Sequence, residues 1–122
     1  MIGHVGNIED ETEKNNYFRK VIFTSGHTQL VVMALQVGED IGVETHKEND
    51  QFFRLESGML KIVMNGEQST LTAGMAAIVP AGTEHNVINI GSEVAKLYTL
   101  YSPAHHPDGT IHKTKAEAMA GE

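Results

Sequence analysis

The sequence predicts one all-β domain, a barrel or sandwich, and three observations carry that prediction. The chain breaks into short β-branched and aromatic runs separated by Gly, Asn, Asp and Pro. Short strands at close spacing with turn signals between them mark such architectures. Asn65-Gly66 follows one of these runs and is a strong hairpin signal, because both central residues of a two-residue turn need positive φ. At 122 residues the chain fits one domain with one core, and it has no cysteine, so no disulfide supports that core.

Residues 1–16 are polar and acidic, with Glu9, Asp10, Glu11 and Glu13 close together, and read as a solvated arm or a loosely docked lead-in. Residues 17–102 form the barrel, through the runs YFRKVIF, TQLVVMALQV, IGVETH, QFFRLES, MLKIVMN, MAAIVP, HNVINI and VAKLYTLY. In the second run Val31, Met33, Leu35 and Val37 alternate with Leu30, Val32 and Ala34, so both faces of that strand are expected to be buried. One face belongs inside the barrel and the other against a second subunit, which makes a homodimer the expected assembly. Ile88 and Ile90 fit the same idea. In residues 103–122, Pro103, Pro107 and Gly109 end the last strand, and Thr114 with Glu117 forms a capping box for a short helix over Lys115 to Ala120. A helix that short is marginal alone and must dock or fray.

The formal net charge is -7, from nine Lys and Arg against sixteen Asp and Glu, and the basic residues are scattered. No electrostatic footprint for nucleic acid or anionic lipid is visible. The first residues, MIGHVGNIEDETEKNN, hold neither a basic leader nor an apolar stretch of signal length, and no apolar run approaches the ~20 residues of a membrane span. A soluble cytoplasmic protein is the expectation. Without cysteine, any transition metal must be held by imidazole, carboxylate or amide.

Two stretches carry the chemistry. The sharper one runs Gly74, five residues, Pro80, one residue, Gly82, two residues, His85, three residues, Asn89. The other runs Gly38, five residues, Glu44, one residue, His46, four residues, Gln51, six residues, Gly58. In an extended strand Glu44 and His46 point the same way and Thr45 the other. Gln51 shares a face with Phe53 and Leu55, at the head of an apolar inward stripe, where an unpaired amide would cost about 1–3 kcal/mol. His85 follows Pro80-Ala81-Gly82-Thr83, a turn sequence that delivers the imidazole from a separate strand.

The second stretch resembles the full second motif of the cupin superfamily. The first matches that family's first motif in spacing, with Glu44 in place of its first His and Gln51 in place of its Glu. The motifs span Gly38 to Asn89. One departure is Met75, where many cupins have an aspartate, which bears on the turn before the strand. The resemblance implies a single-domain jelly-roll barrel with a short C-terminal helix and one divalent transition metal ion held by Glu44, His46, Gln51 and His85. Two imidazoles, a carboxylate and an amide oxygen suit Mn, Fe, Co, Ni or Zn. The pocket mouth is expected to be lined by Phe53, Leu55, Val87 and the strand from Val94 to Tyr101. Small cupins with the wording from His46 to Gln51-Phe52-Phe53 are similar to those filed as mannose-6-phosphate isomerase-like, a label that records descent more than activity.

Glu48 and Asp50 are reserve carboxylates beside the first stretch, solvated turn residues on the simplest reading, with Glu48 the candidate catalytic group for moving a proton. His105, His106 and His112 lie among Pro103, Pro107 and Gly109, the setting of a surface loop, and are assigned structural or solvent roles. His4 and His27 are expected to be exposed.

Three functions are consistent with this reading. The first is a metal-dependent enzyme, of isomerase or lyase type, acting on a small oxygen-rich substrate such as a sugar derivative or keto acid. The second is a mononuclear metal dioxygenase. The third is a non-catalytic small-molecule binding or sensing barrel, supported by the loss of the family's glutamate at Gln51. The barrel alone does not choose among them.

Overall fold

A computed structural model describes residues 2–121, so only residues 1 and 122, the extreme ends of the two flanking segments, lie outside it. Ten strands form two antiparallel sheets. β1 (Arg19–Thr24), β2 (Gln29–Leu35), β4 (Asp50–Ser57), β7 (Ala76–Val79), β9 (Ala95–Ser102) and β10 (Ile111–His112) make one sheet in the order β10-β1-β2-β9-β4-β7. β3 (Glu44–Thr45), β5 (Met59–Met64), β6 (Glu67–Thr72) and β8 (Glu84–Asn89) make the other, in the order β3-β8-β5-β6. The architecture is the expected jelly roll.

Period-two alternation places the core between the sheets. Phe53 and Leu55 of β4, Leu97 of β9, Leu60 and Ile62 of β5 and Val87 of β8 all point inward and are fully buried. Along the same inward faces the character changes from apolar to polar. Gln51 stands opposite Tyr101, Phe53 opposite Thr99, and Leu55 opposite Leu97, while β8 contributes His85 ahead of Val87. The barrel is therefore sealed at one end and polar at the other. Phe53, Leu55 and Val87 are not a mouth lining, as expected from sequence, but the packed floor beneath it.

The turns follow their residues. Asn65 and Gly66 both adopt positive φ, as the β5–β6 hairpin requires. β6 has only Leu71 buried, so its polar sequence showed no alternation, and it forms because the hairpin sets it in register with β5. At Gly58, between β4 and β5, φ is +99 and an added Cβ would lie 2.9 Å from the Ala95 Cα. Gly58→Ala is expected to lose about 1–3 kcal/mol from the backbone conformation alone, more with the clash, read as a lower urea midpoint at unchanged slope.

The N-terminal stretch is not a loose arm. α1 (Ile8–Lys14) is capped by the Asn7 side chain, which accepts from the Asp10 amide at 3.0 Å, and Thr12 is buried beneath it. Asn7 and three acids in the first turn suit the helix dipole. Lys96 of β9 ties down the chain after α1, donating to the Asn15 carbonyl and to Asn16 Oδ1. α1 packs on β2, β4 and β9. Val32 and Ala34, on the outer face of β2, are buried within one chain.

At the other end α2 (Lys115–Ala120) matches its expected bounds. Thr114 Oγ1 accepts from the Glu117 amide at 3.1 Å, Ala118 is buried, and Lys115 pairs with Asp40, so the helix is docked. β10, unforeseen among the Pro and Gly residues, pairs with β1 and brings His112 beside Arg19. No helix among the described residues is long and apolar enough to cross a membrane.

Candidate metal centre

Glu44 and His46 extend from β3 and its following turn, and His85 stands directly opposite Glu44 on β8. One ligand atom from each of the three lies within 4.8 Å of the others. The Pro80–Thr83 turn sets this geometry, with Gly82 at φ +84 and the Thr83 amide donating to the Pro80 carbonyl at 3.2 Å. Two contacts lock that turn onto the His46 segment. The Gly82 amide donates to the His46 carbonyl at 2.9 Å, and the Ala81 amide donates to Asp50 Oδ1 at 2.8 Å. Asp50 is therefore a structural clamp rather than a spare ligand.

His85 Nδ1 lies 2.9 Å from the Thr83 carbonyl oxygen. A carbonyl only accepts, so Nδ1 carries the proton and Nε2 is left with its lone pair, the arrangement that orients a metal-ligating histidine. His46 Nε2 lies 2.7 Å from Glu44 Oε2, yet it has no partner of acceptable hydrogen-bond geometry. The two atoms approach as donors aimed at a common point do.

Gln51 comes from the opposite sheet. Its Nε2 donates to Thr99 Oγ1 at 3.0 Å, and its Oε1 is buried with no hydrogen-bond partner. Among the described residues four buried side-chain nitrogen or oxygen atoms lack a partner, and His46 Nε2 and Gln51 Oε1 are two of them. Such orphans are rare in folded proteins and call for an explanation, of which a bound ion is one. These residues fit a divalent cation.

Electrostatics favour the charged carboxylate. Burial pushes the Glu44 carboxyl up, but close contact with His46 and the fields of Arg19 and His85 outweigh it, so its pKa falls below the ordinary 4.5. A lowered folded pKa means the unfolded chain binds more protons, so this stabilisation is present above about pH 4.5 and is lost as pH falls through the folded value. Urea unfolding of the metal-free protein between pH 3 and 6 is expected to show a shallower loss on acidification for Glu44→Gln than for the unmodified chain. Burial raises the Tyr101 hydroxyl far above its usual value, so it stays protonated.

The structure does not bring Glu48 to the cluster. Asn49 is buried and donates to the Pro103 carbonyl, which turns its neighbours Lys47 and Glu48 out to solvent. Asn89, the last motif residue, is a fastener: its Nδ2 donates to the Leu35 and Glu93 carbonyls and its Oδ1 accepts from the Gly91 amide.

Two residues escaped the sequence reading. His105 is an exposed loop residue, as expected, yet the loop brings it against the cluster. Its ring centroid lies 4.2 Å from that of His46 and 5.3 Å from that of Tyr101. Partial burial, then the field of His46, lowers its pKa. His106 packs edge-on to Tyr101, and burial followed by the nearby Arg19 charge lowers its pKa to about 3. Arg19 itself is 3% exposed. Arg19 had no role assigned from sequence; its burial, its contact with His112 and its field on Glu44 and His106 set its place. His4 and His27 are exposed, as expected.

Comparison with known proteins agrees with this fold. A family model described as Cupin domain matches residues 31–101. YrkC of Bacillus subtilis is 45% identical over 124 residues, spanning 97% of this chain and 67% of its own length. A protein of Acanthamoeba polyphaga mimivirus is 47% identical over 112 residues, spanning 88% of this chain and 70% of its own. The crystal structure of BH2720 from Bacillus halodurans superposes with a TM-score of 0.94 at 46% identity, covering 96% of this chain and 93% of that one. Fold, motif spacing and relatives agree: the chain belongs to the cupin family.

Proposed function

We propose that this cupin is a metal-dependent enzyme of isomerase or lyase type, acting on a small oxygen-rich substrate such as a sugar derivative or keto acid. The observation that carries the reading is the convergence of Glu44, His46 and His85 with two buried orphan atoms, His46 Nε2 and Gln51 Oε1. In this reading these four side chains hold one divalent ion among Mn, Fe, Co, Ni and Zn. Such an ion, when bound, acts as a Lewis acid that polarises a carbonyl oxygen.

The chain's own residues do the rest. Phe53 and Leu55 close the floor and exclude water from below. Tyr101, protonated and packed against His46, offers a hydroxyl rather than a charge. With Glu48 turned to solvent, His105, packed against His46, is the group that would take a proton at the rim in this reading. A second reading, a non-catalytic binding barrel, draws support from the neutral amide at Gln51 and the distance of Glu48.

The test is a thermal-shift screen of the metal-loaded protein against sugars, uronates and keto acids, followed by assay of hits in deuterium oxide without oxygen. Metal-dependent deuterium uptake beside the substrate carbonyl is the expected result. Turnover that requires oxygen would replace this reading with the dioxygenase. Binding without exchange or turnover would favour the non-catalytic barrel.

A further inference from the structure

A cleft of about 270 Å³ lies beside the metal cluster, lined by Arg19, His105, His106, Thr110 and His112 among others. It shares His105 with the cluster, since that ring packs on His46. Arg19 is 97% buried by the same measure that gives it 3% exposure. It bears the one permanent charge among the cleft's lining side chains. Its Nη1 contacts His112 Nδ1 at 3.1 Å, its guanidinium lies 5.2 Å from the Phe18 ring centroid, and its Nε has no hydrogen-bond partner. No carboxylate among the described residues lies within ion-pair distance of it. Among the described residues only the more distant field of Glu44 offsets this charge, and a buried cation with no directly paired carboxylate is costly unless an anion completes it.

We propose that this cleft is a carboxylate subsite, with the planar Arg19 guanidinium as its anchor. A single guanidinium matches a planar carboxylate by paired parallel hydrogen bonds, and the cleft's one permanent positive charge balances a monoanion. The substrate is then an acid, a keto acid or sugar acid rather than a neutral sugar, with its carboxylate on Arg19 and its reacting oxygen at the cluster. That substrate role rests on the metal-enzyme reading above; anion binding at Arg19 does not.

The test separates the two. Chelator-dialysed, metal-free protein labelled with nitrogen-15 is titrated with pyruvate, and the Arg19 Nε–H resonance is followed together with the backbone amides of residues 19, 106 and 110, which remain readable in the Arg19→Lys variant. The expected result is a saturable shift, absent with the uncharged pyruvamide, kept in His85→Ala, and weakened roughly tenfold or more in Arg19→Lys, since hydrogen bonds to charged groups contribute about 1.5–3 kcal/mol. No shift, an equal response to pyruvamide, or tighter binding of inorganic phosphate at the same resonance would overturn the proposal. If Arg19→Lys fails to fold, the comparison of pyruvate with pyruvamide in the unmodified chain still decides. Loss of metal binding with the pyruvate shift intact would sink the metal reading alone.

Discussion

Phe53→Ala is expected to destabilise the protein by about 3–5 kcal/mol, the range for removing a fully buried aromatic side chain. Phe53 sits at the boundary between the apolar floor and the polar end of the barrel. It stands opposite Thr99 on one neighbour and Ala77 on the other, with its ring edge toward His85 at 6.4 Å between centroids. Both sheets close over it, so neither strand can collapse into the space left without breaking register. The cost includes the lost transfer energy and the residual cavity. Urea denaturation checks it, and a loss below about 1 kcal/mol would mean that the two sheets do not pack as described. Phe53→Leu is expected to cost less, because most of the volume remains.

His85→Ala has the largest expected effect on the site: metal affinity falls by at least about 100-fold. Removing groups that merely orient a ligand costs 10–100-fold, so removing the ligand itself costs at least the upper end of that range. His46→Ala is expected to behave alike. Glu48→Ala is the contrasting control, since Glu48 faces solvent and its loss leaves affinity unchanged. Equilibrium dialysis against zinc or nickel with elemental analysis measures all three. Affinity retained in both histidine variants would remove the proposed centre, and loss in Glu48→Ala would restore a role for that carboxylate.

The pattern of legible and hidden features has a physical cause. Strands β4, β8 and β9 alternate strictly between buried and outward residues, so they could be read from the chain. The convergence of Glu44, His46 and His85 was foreshadowed by their match in spacing to the cupin motifs. Gln51 was expected to be buried at the head of an apolar stripe, and it is. β6 and β10 were not, since one is almost wholly exposed and the other is two residues long, and pairing rather than pattern makes both. α1 hid in an acidic stretch because its docking rests on Thr12 and backbone contacts, with no apolar stripe to reveal it. His105 and Arg19 reach the site only through tertiary packing. A lone basic residue in a strand and a histidine between two prolines carry no local mark of what they will pack against.

X-ray absorption fine structure of the zinc- or nickel-loaded protein tests the central claim most directly, because it counts imidazoles around the ion. The expected first shell contains two imidazoles, from His46 and His85, with the remaining donors oxygen, and Gln51→Ala removes one oxygen while keeping both imidazoles. A shell with three imidazoles would place His105 among the ligands, and a shell with none would show that the ion binds elsewhere; either result would contradict the assignment of Glu44, His46, Gln51 and His85.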